Sequence, residues 1–318
     1  MSSHNPEKTF TSFTPSQSQS YAQHRLDYHP HLYNTIKSHH SSTSGRFHTI
    51  LDIGCGPGTA VRSLAPSFEH AIGLDPSEGM IATARSLGGL TSTGEQILFE
   101  VSSAEELGAN LTPPVGEGTV DLIVAATAAH WFDMPLFWAR AGKVLKPAGT
   151  VALWTSGNFR VDPSMPGAGE IQAILDKLET TLDGYVLPGN RLVSDLYRDL
   201  PLPWTLPDDD QVPELFDPAS FVRKEWGTGP GSEPSETFYS SQRPPANLDT
   251  LEKVTGTLSP VVRWREAHPE LVGTERDVVR VMRREIEAAF RRAGVLEGEK
   301  IIRGGVEGVL LMVKKKKA

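Results

Sequence analysis

Five short apolar runs divide the first half of the chain at a nearly even beat: Phe47–Ile53, His70–Asp75 (HAIGLD), Ile97–Ser102 (ILFEVS), Val120–Ala126 (VDLIVAA) and Gly149–Thr155 (GTVALWT). Helix-like segments fill the intervals. Strands alternating with helices at this spacing make βαβ units, and the long crossovers join parallel neighbours. The runs are apolar throughout instead of alternating with polar residues, as strands covered on both faces must be. The expected fold is α/β, a Rossmann-like doubly wound sheet.

The turn after the first run is Leu51-Asp52-Ile53-Gly54-Cys55-Gly56-Pro57-Gly58, and a helix is predicted over Thr59–Leu64. Glycines let the backbone turn tightly and approach a ligand closely, and the helix N-terminus behind them favours a negative group. Dinucleotide sites use G-x-G-x-x-G, which would need glycine where Thr59 stands. The pattern present is D-x-G-x-G-x-G. Asp75 ends the next run, 17 residues after Gly58. A carboxylate at that strand tip can accept both ribose hydroxyls of a nucleoside. The competing reading is a turn residue before Pro76, or a cap for the helix through Met80–Ser86. After the third run, Ser103, Ala104 and Glu105 would edge an adenine, although Ser103 with Glu106 also fits a helix capping box.

These residues together resemble the type 11 branch of class I S-adenosylmethionine-dependent methyltransferases, and within it the fungal and bacterial group that includes trans-aconitate methyltransferases. The matching segments are LDIGCGPG (51–58), AIGLDPSEGMIATAR (71–85), AAHWFD (128–133), VLKPAGTVALW (144–154), FVRKEW (221–226), LSPVVRWREAHPE (258–270) and VLLMVKKK (309–316). The resemblance implies seven strands with the last antiparallel. It also implies one methyltransferase domain over residues 21–318, in which 156–300 supply a helical cap over a small-molecule substrate. S-adenosylmethionine is the implied cofactor, with Asp52, Gly54, Cys55, Gly56, Gly58, Asp75, Pro76, Met80, Ser103, Ala104, Glu105 and Thr127 expected around it.

His130 lies just past the fourth strand, at the ligand edge of such a sheet. An imidazole there can act as base or hydrogen-bond donor near neutrality, so it is the catalytic candidate; the alternative is a histidine that supports the loop. Trp131 is expected to flank the cofactor and substrate, and the alternative is a buried core tryptophan. Arg25, Arg160 and Arg263 are candidates for a bidentate clamp on an anionic substrate. The resemblance adds Tyr21 and Trp264 as pocket walls. A carboxylate acceptor is already ionised at pH 7 and needs no base, whereas a hydroxyl would gain from one. The expected activity is O-methylation of a small carboxylic acid or a secondary-metabolite hydroxyl. The alternatives are a fold relative that binds the cofactor without transfer, an NAD(P)-dependent oxidoreductase, and an RNA or protein methyltransferase.

Net charge −8 argues against a nucleic-acid partner. One cysteine, Cys55, excludes an intrachain disulfide. The absence of a membrane-length apolar run and of a leader pattern in the sequence read points to a cytoplasmic protein, monomer or homodimer. Seven of the ten histidines fall in the first 48 residues, but no ligand spacing accompanies them, so no metal is expected. Residues 1–20, rich in Ser, Thr, Gln and Pro, are expected to be disordered. Residues 201–218 read as loop, Asn247–His268 and Thr274–Ala293 as helices, and Lys314–Lys317 as a solvated tail.

Overall fold

The computed structural model describes residues 22, 27–207, 212–227, 238–239 and 246–317. Tyr21, Arg25, residues 1–20 and the acidic triplet Asp208–Asp210 lie outside the described residues. The strands of the main sheet are β1 (Thr49–Ile53), β2 (His70–Asp75), β3 (Leu98–Val101), β4 (Val120–Ala126), β5 (Leu145–Val161), β6 (Phe216–Trp226) and β9 (Gly304–Lys315); β7 (Ala246–Asn247) and β8 (Ile301–Ile302) form a separate pair. The sheet order is β3-β2-β1-β4-β5-β9-β6. The first five strands are parallel, and β9 runs antiparallel between β5 and β6. The expected seven-stranded doubly wound sheet is therefore present. Its strand order reverses between β1 and β4, and ligands of open α/β sheets sit outside the carboxyl ends at that point.

The apolar runs are continuous because alternate residues serve two cores. Leu122 and Val124 of β4, with Ala152 and Trp154 of β5, face one layer. That layer holds helices α1 (Pro30–Ser42), α2 (Thr59–Leu64) and α3 (Glu78–Leu87). Ile123, Ala125, Val151 and Leu153 face the other, packed on Phe137 and Trp138 of α4 (Met134–Val144). Each such fully buried large side chain contributes roughly 1.5–3 kcal/mol. A third cluster joins α5 (Ala168–Leu182), α9 (Ser259–Ala267) and α10 (Val278–Arg292) through Ile171, Leu178, Val261, Trp264, Met282 and Phe290.

Three expectations change. The stretch read as loop over 201–218 already contains the start of β6 at Phe216. The register slips between Asp217 and Val222, which lets Pro218 sit in an edge strand without owing it a donor. Asn247–His268 is two helices, α8 (Leu248–Thr255) and α9, because the chain breaks at Gly256 and Pro260 restarts it. Lys314 and Lys315 are not tail: they close β9, and buried Lys314 Nζ donates to Thr150 Oγ1 at 2.8 Å. α6 (Pro188–Ser194) and α7 (Val212–Leu215) complete the helices named here. Among the described residues no helix is long and apolar enough to cross a membrane.

Candidate functional site

The glycine turn and the strand-tip carboxylate meet directly. The Gly56 amide donates to Asp75 Oδ2 at 2.9 Å, and the Ser77 amide donates to Asp75 Oδ1 at 2.9 Å. Asp75 is thus also a turn residue, while the cap of α3 is Ser77, whose hydroxyl accepts from the Met80 amide at 3.3 Å. Each carboxylate oxygen can accept more than one donor, so two backbone amides orient Asp75 and leave it acceptor capacity. Burial pushes its pKa up to about 6, against the two amides that pull it down.

The glycines divide the work of the turn. A Cβ on Gly54 would lie 2.6 Å from that of Ala128, and one on Gly58 would lie 2.8 Å from the Phe99 ring. Those two serve close packing. Gly56, at φ +52, would meet no atom within 4 Å, so its face is open to a ligand. Asp52 is fully buried. Its Oδ2 accepts from the Val61 amide in the first turn of α2 at 3.1 Å, and Oδ1 finds no partner among the described residues. Burial first, and then the charge of Asp75, raise its pKa to about 8. Cys55 is buried with its thiol pushed up by the same desolvation. Met80 and Ala104 line the buried side and Pro76 is exposed. Ser103 Oγ accepts from the Glu106 amide at 3.3 Å, as a cap, and Glu105 Oε1 accepts from the Asp133 amide at 3.0 Å, joining the β3 and β4 loops.

Beyond β4 the backbone is strained. Thr127 has φ +53, rare for a β-branched residue. Its hydroxyl pairs with Tyr28 Oη at 2.8 Å. Tyr28 forms an isolated bridge to Tyr239 and stacks on its ring at 5.3 Å, and Tyr239 Oη donates to Ser156 Oγ at 3.0 Å just past Thr155. Two chain-distant tyrosines therefore meet between Thr127, just past the carboxyl end of β4, and Ser156 within β5. Asp27 secures the segment: its Oδ1 accepts from Tyr33 Oη at 2.7 Å and its Oδ2 from Ser63 Oγ at 3.0 Å.

His130 is buried in a short turn, Ala129–Trp131, with Nδ1 3.0 Å from Tyr197 Oη and the Trp131 ring 4.6 Å away. Leu196 and Tyr197 both take positive φ, 53° and 57°, which delivers the phenol to this spot. Burial holds the phenol neutral far above neutral pH. α6 closes over the turn: a Cβ on Gly189 would come within 2.6 Å of the His130 carbonyl and the Trp131 ring.

The other residues proposed from sequence stand further back. Arg263 Nε donates to the Tyr185 carbonyl at 2.7 Å and a terminal nitrogen donates to Asn190 Oδ1 at 2.7 Å, so it ties α9 to the segment carrying Gly189. Trp264 is buried in the third core against His268. Arg160 is half exposed, 3.6 Å from Glu307 and 3.8 Å from Asp176. Tyr28, Tyr197 and Tyr239 were not singled out from sequence. None of the three carries a local sequence signal.

The seven-stranded sheet with β9 antiparallel is a Rossmann-like methyltransferase fold. Residues 50–149 match the methyltransferase domain family. A protein of Dictyostelium discoideum assigned as a methyltransferase is 30% identical over 185 residues, 58% of this chain and 63% of the relative. One of Saccharomyces cerevisiae, assigned as S-adenosylmethionine-dependent, is 30% identical over 43% of this chain and 45% of its own length. A methyltransferase of Pestalotiopsis fici is 28% identical over 58% and 57%. The chain thus spans roughly half to five-eighths of the curated relatives it matches. Among solved structures, a type II methyltransferase from Anaeromyxobacter dehalogenans superposes with TM-score 0.57 at 23% identity, covering 92% of this chain and 97% of that one, which establishes the shared fold.

The residues present fit S-adenosylmethionine. The open Gly56 face accommodates close approach, Asp75 is a hydroxyl acceptor, and the orphaned Asp52 Oδ1 is a buried acceptor suited to a cationic ammonium or a water it carries.

Proposed function

We propose that this chain is an S-adenosylmethionine-dependent methyltransferase that O-methylates a small molecule, with a carboxylic acid of the aconitate type as leading substrate and a secondary-metabolite hydroxyl next. The observation that carries the reading is the hydrogen bond between Gly56 and Asp75, which joins glycine turn and acidic strand tip into one cradle. The resemblance of the later segments to the trans-aconitate group supports the acid, and residues 156–300 serve as the substrate cap.

The bound cofactor supplies a methyl group on a cationic sulfur, transferred by in-line displacement. Asp75 would hold the ribose hydroxyls and Asp52 would face the amino-acid end of the bound cofactor. Tyr28 and Tyr239 form an apolar roof, and Tyr28 is backed by the core Trp154, whose ring lies 5.5 Å away edge to face. Excluding water there preserves the sulfonium for its acceptor and orients the nucleophile. His130, held through Nδ1 by neutral Tyr197, is a positioning group for the acceptor oxygen. Methyl-labelled cofactor with a panel of small acids tests the reading: label on carboxylate oxygen is expected, and label found only on nitrogen or carbon overturns it.

His130→Ala is expected to lower kcat by about 100-fold and leave cofactor affinity unchanged, with Tyr197→Phe less severe. Steady-state kinetics that move only the cofactor constant would remove His130 from the acceptor side.

Cofactor affinity is also expected to depend on pH. Ribose hydroxyls donate best to ionised Asp75, which gains its proton as pH falls through about 6. Affinity is therefore full above that value and falls by up to about tenfold per unit below it. Calorimetry from pH 5 to 7 checks this, and Asp75→Asn should flatten the profile. The unliganded fold responds oppositely. A carboxyl whose folded pKa lies above its unfolded value is stabilising at low pH, and that contribution disappears as pH rises through about 6 for Asp75 and about 8 for Asp52.

A further inference from the structure

We infer a divalent transition-metal site at the amino ends of β1 and β2, the opposite end of these strands from the glycine turn, formed by His48, Glu69 and His70. One ligating atom of each lies within 4.8 Å of the others. No metal is expected from the spacing of neighbours along the chain, which shows no ligand pattern. The parallel pairing makes the spacing instead. Thr49 stands opposite His70, and the amides of His70 and Glu69 donate to the carbonyls of His48 and Phe47 at 2.8 and 3.1 Å, so the histidine just before β1 and the one opening β2 come side by side. Their ring centroids are 4.9 Å apart.

The arrangement has the parts of a binding site. His48 Nδ1 is engaged with Thr49 Oγ1 at 3.0 Å, which leaves Nε2 directed at Glu69 Oε2, 3.5 Å away. Tetrahedral zinc with nitrogen and oxygen ligands near ~2.0–2.2 Å holds neighbouring donors at about that separation. Glu95 Oε2 lies 2.7 Å from His70 Nδ1, where it orients the ring and adds a second negative charge. Two imidazoles with carboxylates suit zinc, copper or nickel over the harder calcium or magnesium. The side chains are about half exposed, so the small rotation that brings all donors onto one ion meets little resistance. A bound ion would clamp β1 and β2 to the turn carrying Glu95, away from the chemistry.

The test uses the full chain in a non-coordinating buffer, with zinc chloride titrated calorimetrically. One zinc per chain is expected, and the thermal midpoint rises with zinc concentration. His48→Ala and His70→Ala should each weaken that binding at least about tenfold, and Glu69→Gln should weaken it as well. Copper(II) in place of zinc should show two imidazole nitrogens by electron paramagnetic resonance. Each variant is compared with the parent in chelator, where equal thermal midpoints show the fold intact. Zinc affinity unchanged in the His48→Ala, His70→Ala double variant, which would place the ion on other histidines, overturns the site. So does a parent protein that takes up no zinc, or a copper spectrum with one nitrogen or none.

Discussion

Asp75→Ala is expected to weaken S-adenosylmethionine binding by two powers of ten or more while the protein stays folded. Hydrogen bonds to a charged acceptor are worth about 1.5–3 kcal/mol each, and the ribose presents two hydroxyls to this carboxylate. Losing both corresponds to roughly 100-fold to 10,000-fold in affinity. The cost to the fold is smaller. The Gly56 and Ser77 amides lose their acceptor, about 1–3 kcal/mol apiece if they stay dry. Removal of a carboxyl that burial already penalises offsets part of that loss. Calorimetry with the cofactor, alongside a circular dichroism melt, separates the two effects. Affinity equal to that of the parent would take Asp75 out of the site.

The second large effect separates two glycines two residues apart. Gly56→Ala should lose cofactor binding by more than about tenfold and keep most of its stability, because the new methyl group enters open space on the ligand side. The left-handed backbone at φ +52 adds only about 1–2 kcal/mol of strain. Gly58→Ala carries the same kind of strain at φ +85, and its Cβ also drives into the Phe99 ring and the end of Arg62. Arg62 can swing aside; the buried ring cannot without moving β3. Thermal melts should therefore show Gly58→Ala the less stable of the two, and calorimetry should show Gly56→Ala the weaker binder relative to its stability. The reverse pattern would mean that the ligand does not lie against Gly56.

The meeting of the glycine turn with Asp75 was readable because its parts are local. A strand, a glycine turn and a helix occupy consecutive residues, and Asp75 stands at the next strand's tip, so strand pairing alone brings them together. His130 was singled out on the same logic, four residues past the end of β4. The surroundings of Thr127 and His130 were not readable in that way. Tyr28 and Tyr239 meet through one isolated bridge, and Tyr197 reaches His130 by two consecutive left-handed residues that no local pattern announces. Arg160 and Trp264 illustrate the converse. Both are chemically apt for an anionic or apolar substrate, yet one is spent on surface carboxylates and the other on the helical core.

Apolar periodicity and glycine placement determined the strands, the crossovers and the cofactor turn, because each depends on side chains a few residues apart. The insertion of β9 between β5 and β6, the burial of Lys314 beside Thr150, the tyrosine roof and the pairing of His48 with His70 were decided only in three dimensions. Those features arise where segments far apart in the chain are packed against one another, and a short window of residues holds no record of the neighbours that packing will bring.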